Sequence, residues 1–197
     1  MKKLSCAMST LIILTLTVPG HAASPIETVQ ANVNKVLDVL RDPALKPESA
    51  KEIKKEKLVA IYEHMFDEVE LSKRTLARHW NALDMAQRQE FVQLFRQVLE
   101  KAYIDKILSY TNEKVAFDKE TMLAEGQAEV QTRIITSSKE IPISYRVILR
   151  DGAWRVYDVV VEGVSLVQNY RSQFNEILAK NAPKELLEIL RKKVKES

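Results

Sequence analysis

The chain holds one cysteine and only four glycines in 197 residues. Cys6 stands ahead of an apolar run at the N-terminus, so once that segment is removed neither a disulfide nor thiolate chemistry remains. Four glycines leave little from which to build a Gly-rich phosphate loop or a dinucleotide fingerprint, and no G-x-S-x-G elbow is present. Histidine is scarce too. His64 and His79 fall on different predicted helices, neither with a second His or Cys at ligand spacing. That argues against zinc, and neither a metal nor a cofactor is expected. His79, beside Arg78 and Trp80, reads as a packing and hydrogen-bonding group.

What is present begins with an export signal. Met1-Lys2-Lys3 is a short positive region, Leu4 to Val18 is apolar, and Pro19-Gly20-His21-Ala22-Ala23 supplies a turn and a small-residue cleavage site. The apolar run is short for a span, which needs about 20 residues. Residues 1–22 therefore read as a signal peptide cleaved near Ala22 or Ala23, and 24–197 as a single domain exported to a Gram-negative periplasm. Lys2 and Lys3 leave with the signal, which sets 28 basic side chains against 27 acidic ones. So balanced a chain lacks the basic surface that nucleic-acid binding needs. No second long apolar run follows.

The first half is helical by its spacing. Ile26, Val29, Val33, Val36, Leu37 and Leu40 form one stripe, stopped at Arg41-Asp42-Pro43. A second helix follows Pro47 to about Phe66, with Leu58, Ile61, Tyr62 and Met65 inward and Lys51, Lys54, Lys55 and Lys57 crowding its first half. The lysines read as a solvated face, or as a docking patch for an acidic partner. A short helix covers Glu70 to Trp80. Asp84 and Gln87 then form a capping box for a long one, Met85 to about Tyr110.

The second half turns to strands, over residues 113–118, 126–137, 140–151 and 153–162. Asp151-Gly152 is a strong hairpin signal. The last strand loses its alternation at Val159-Val160-Val161, which predicts a bulge near Asp158 or a strand covered on both faces. Helices over 165–180 and 183–194 close the chain, with Ser165 and Gln168 as a capping box. The expected fold is α+β, a four-stranded antiparallel sheet wrapped by about six helices on one face.

Chemistry is hard to find in this pattern. Asp158, in an apolar strand, is the best acid: a general base in a cone-shaped enzyme cavity, or a structural carboxylate bonded to backbone or to an arginine. Arg191, Lys192, Lys193 and Lys195 offer a basic tail for a non-carrier adaptor, or cations suited to a helix C-terminus. In surplus is inward apolar surface: Leu99, Tyr103 and Ile107 facing Ile143, Tyr145 and Val147, with Leu166, Tyr170 and Phe174 at the side. Periodicity leaves open whether these fill a core or line a cavity.

Four stretches carry a resemblance: FDEVELSKRTLARHW (66–80), QRQEFVQLFRQVLEKAY (87–103), IPISYRV (141–147) and WRVYDVVVEGVSLVQNYRSQF (154–174). With them the chain resembles the MlaC-type periplasmic phospholipid-binding proteins, the toluene-tolerance auxiliary family. The resemblance implies a monomeric, non-enzymatic shuttle of glycerophospholipids. Its implied partners are an outer-membrane lipoprotein–porin complex and an inner-membrane ABC transporter with an MCE-domain ring, and the shuttling preserves outer-membrane lipid asymmetry. It also implies an acyl-chain cavity between sheet and helices with the headgroup outside. That moves Val160, Leu166, Tyr170 and Phe174 toward cavity wall. A site made only of apolar and aromatic side chains predicts weak headgroup discrimination.

Overall fold

In the computed structural model, residues 23–110 and 113–196 are described; the predicted signal peptide, with Cys6, lies outside them. Helix α1 (Pro25–Arg41) opens on a capping box: Ser24 accepts from the Glu27 backbone, and the Glu27 carboxylate accepts from the Ser24 N–H. Two 3-10 turns carrying Pro43 and Pro47 lead to α2 (Lys51–Met65). Next comes α3 (Glu68–Leu76), capped by Asp67. The predicted helix through Trp80 stops early. Ala77 adopts a positive φ of 48°, and the chain continues to Ala82 as a 3-10 turn. The long helix α4 (Met85–Leu108) begins at the expected Asp84–Gln87 box.

The sheet is an antiparallel meander of five strands among the described residues, in the order β1 (Lys114–Ala124), β2 (Gln127–Ile135), β3 (Glu140–Arg150), β4 (Ala153–Val161), β5 (Val164–Ser165). Two differences from the sequence reading have plain causes. β1 runs six residues beyond Asp118, because an exposed edge strand with register shifts near Asp118 and Leu123 shows no apolar alternation to read. β5 is a two-residue return, made by a turn in which Glu162 and Gly163 both take positive φ, 48° and 82°. Asp151-Gly152 turns the same way between β3 and β4.

Two packed clusters flank the fold. One lies among α3, α4, α5 (Leu166–Leu178) and α6 (Pro183–Glu196), built on Phe91, Phe95, Tyr170, Phe174, Leu186 and Leu190. The other joins α1 to the sheet through Val29, Val33, Ala128, Val130, Val147 and Val156. The described helices are six, as the spacing predicts. None of them is long and apolar enough to cross a membrane.

Candidate functional site

Between the two clusters the packing stops. A cavity of about 590 Å³ opens between the sheet and helices α1, α2 and α4. Val33, Val36, Leu37 and Leu40 come from α1, and Leu58, Val59, Ile61, Tyr62 and Met65 from α2. Helix α4 gives Leu99, Tyr103, Ile104 and Ile107; the sheet gives Val115, Ile134, Ile143, Tyr145, Val159 and Val161. Arg96 and Ile107 on α4 both border it, which makes it ~16 Å long at the helical rise. At one end the apolar wall runs out into solvent: Ile107, Val161 and Val164 line the cavity yet are exposed, Val164 by 61%.

The lining is chemically quiet. Burial raises the phenols of Tyr62 and Tyr103 and pushes Tyr145 up to about 12. Tyr62 stacks on Phe66 at 4.5 Å. The charged groups that border the cavity, Arg96, Glu100 and Lys106, are engaged with neighbours. Arg96 pairs with Glu63, Glu100 with Lys55 at 3.0 Å, and Lys106 lies 5.3 Å over the Tyr103 ring. A charged cleft adjoins the opposite end, at Phe66 and Arg96, and is lined by Glu63, Asp67, Glu68, Arg150 and Arg155. Its arginines are taken up locally, Arg150 by Asp67 and Glu70, and Arg155 by the Glu63 and His64 carbonyls. Among the described residues no group of His, Cys, Asp and Glu is placed to hold a metal ion.

Six of the ten side chains picked from the sequence border the cavity: Leu99, Tyr103, Ile107, Ile143, Tyr145 and Leu166. Four do not. Val147 shares its strand face with Ile143 and Tyr145, but the N-terminal half of α1 fills that end and leaves it 1% exposed in the second cluster. Tyr170 and Phe174 point the other way across α5, into rings of Phe91 and Phe95 with centroids 5.0 to 5.6 Å away.

Val160 is displaced by the bulge. Val147 pairs with Val156 but Arg146 with Asp158, so Tyr157 is the extra residue and the alternation slips by one. Beyond it Val159 and Val161 pair with Tyr145 and Ile143 and turn to the cavity, while Asp158 and Val160 take the opposite face. The walls given by α1 and α2 were visible as apolar stripes, but nothing in one stripe says what it faces.

The same slip fixes the part Asp158 plays. It is 2% exposed, off the cavity wall, with both oxygens in use. Oδ2 pairs with Arg146 at 3.2 Å and accepts from the Ser165 hydroxyl at 2.6 Å; Oδ1 accepts from the Val167 N–H at 3.0 Å. A carboxylate on the first amides of a helix compensates orphan donors there. Ser165 accepts from the Gln168 N–H and gives its own proton to Asp158, so the expected capping box forms on one side.

Comparison with known proteins agrees with this layout. The sequence model of a family described as MlaC protein matches residues 30–192. An intermembrane phospholipid transport system binding protein, MlaC, of Haemophilus influenzae is 26% identical over 112 residues, 54% of this chain and 52% of that protein. Toluene tolerance protein ttg2D of Pseudomonas putida is 25% identical over 96 residues, 48% and 45% of the two chains. The aligned stretches thus span about half the length of these curated relatives. In fold, the chain is similar to a phospholipid-binding protein from Ralstonia solanacearum, solved in complex with a phospholipid. The TM-score is 0.79 at 23% identity, over 87% of this chain and 97% of that one.

Proposed function

The chain belongs to the MlaC protein family, and on that premise we propose that it is a periplasmic phospholipid carrier, not an enzyme, with acyl chains as the cargo of its cavity. Residues 24–197 act as one lipid-binding domain after the signal is cleaved. The observation that carries the reading is the cavity: an apolar space, built from the sheet and helices α1, α2, α4 and α5, in a molecule whose neighbouring clusters pack tightly. An unfilled apolar space costs dispersion contacts and invites an apolar guest. Each methylene moved from water into it gains roughly 0.8 kcal/mol, so a tail of about 15 gains on the order of 12 kcal/mol before ordering costs.

With that driving force no group on the wall needs to hold the headgroup, and the cargo is selected by its tails. Release into water is slow for the same reason. Delivery therefore falls to partners, which in this reading are an outer-membrane lipoprotein–porin complex and an inner-membrane MCE-domain ABC transporter. The names of the relatives, a binding protein of an intermembrane phospholipid transport system and a phospholipid-bound structure, support the assignment. Mass spectrometry of the natively purified protein is the test, and co-purified phospholipid is the expected result. A lipid-free protein that also takes up nothing from phosphatidylethanolamine vesicles would sink it.

A further inference from the structure

The walls of the cavity are not equally secured. Helix α1 is tied at both ends, its Ile26 N–H to Glu120 at 2.7 Å and its Arg41 to the Tyr110 hydroxyl at 2.8 Å. Helix α4 starts in a capping box and buries Phe91, Phe95, Val98 and Leu99. Helix α2 has neither advantage. No side chain caps its start at Ala50, and of its fifteen residues only Leu58 and Met65 are fully buried. The rest of its inner face looks into the cavity, so its burial depends on what the cavity contains. Few buried apolar contacts mark a segment of low local stability.

It packs along α1, to which the two 3-10 turns join it, while its attachment to the sheet and to α4 is lopsided. At the C-terminal end Phe66 bridges to Val156, the Asp67 N–H donates to the Val156 carbonyl at 2.9 Å, and Arg155 donates to the carbonyls of Glu63 and His64. Toward the N-terminal end the link across to α4 is one ion pair, Lys55 to Glu100 at 3.0 Å. Glu100 borders the cavity and holds the Lys55 pKa above its ordinary value, with Glu52 and Asp105 adding to the field. The second pair between these helices, Arg96 with Glu63, lies beside the anchored end.

We propose that α2 is a lid hinged at Phe66–Asp67, and that the Lys55–Glu100 pair is the latch holding it across the cavity toward α4. The proposal rests on the carrier reading and adds the route: cargo enters and leaves between α2 and α4. A partly exposed ion pair is weak, and a weak latch suits a door that must open.

The test loads the protein with pyrene-labelled phosphatidylethanolamine and follows its transfer to unlabelled phosphatidylcholine vesicles. Lys55→Gln and Glu100→Gln each speed transfer about two- to fivefold, and the charge-swapped pair Lys55→Glu with Glu100→Lys returns it to the parent rate. Lys54→Gln, which removes a neighbouring charge outside the latch, leaves the rate unchanged. A bismaleimide bridge between Lys55→Cys and Glu100→Cys, made in a Cys6→Ser background, slows transfer at least about tenfold, a loss of a full decade in rate. A protein that loads lipid but transfers it equally fast with the bridge closed overturns the lid alone. Single variants no faster than the parent, or a swap that restores nothing, overturn the latch. Failure to load any labelled lipid removes the carrier reading, and the lid with it.

Discussion

Helix α4 has two sides, and they lead different lives. On one, Phe91 and Phe95 meet Tyr170 and Phe174 ring against ring with no space left. On the other, Tyr103 and Ile107 face open volume. The residue types are alike, so hydrophobicity alone does not separate a core from a binding site. What differs is whether a second element fills the facing space. On the packed side apolar burial is spent on folding. On the open side it is held back for a guest.

The sharpest way to break that comparison is to cut into each side. Phe95→Ala removes a fully buried ring and should cost about 3–5 kcal/mol in denaturant unfolding, while the folded fraction still carries lipid. A loss of lipid at undiminished stability would mean that the aromatic cluster belongs to the site. Asp158→Asn weakens the seam between the sheet and α5 and should cost about 2–3 kcal/mol, below the full price of breaking a buried pair because Arg146 keeps Glu129 at 3.1 Å. An Asp158→Asn protein of unchanged midpoint that had lost a measurable turnover would turn the argument toward catalysis.

Two tryptophans sharpen the contrast along a single strand. Val147→Trp overfills a packed position and should destabilise by about 1–3 kcal/mol. Ile143→Trp, two pairs along on the same face, should shift the midpoint little and lower the bound lipid seen by mass spectrometry. Equal effects of the two on unfolding would mean that the cavity is not open at Ile143.

The smallest expected effect concerns Glu68, where the two clefts adjoin. Burial raises its pKa, with Arg96 opposing. A carboxyl raised on folding favours the protonated native state, so the native protein bears a penalty once pH exceeds the carboxylate range. No penalty remains where both states are protonated. Glu68→Gln should therefore raise the thermal midpoint slightly at neutral pH and leave it unchanged in acid. An increase of the same size in acid would assign the gain to packing instead.

Much of this was readable in one dimension. Helices α4 and α5 begin where Asp84 and Ser165 stand, because caps are local chemistry, and the hairpin turns at Asp151-Gly152 because positive φ is a property of those residues. The bulge announced itself in the lost alternation at Val159-Val160-Val161. Its position did not, and with it went Val160: a slip at Tyr157 leaves the composition unchanged while exchanging every side chain beyond it between faces. Tyr170 and Phe174 were misplaced for a similar reason, since helical spacing marks a stripe without naming the element opposite.

By itself, then, the sequence determined what local rules govern: where elements start and stop, and which of their faces are apolar. Only the tertiary structure decided which apolar faces meet one another and which meet empty space. That choice depends on distances between elements far apart in the chain, summed over packing contacts that no window of residues contains.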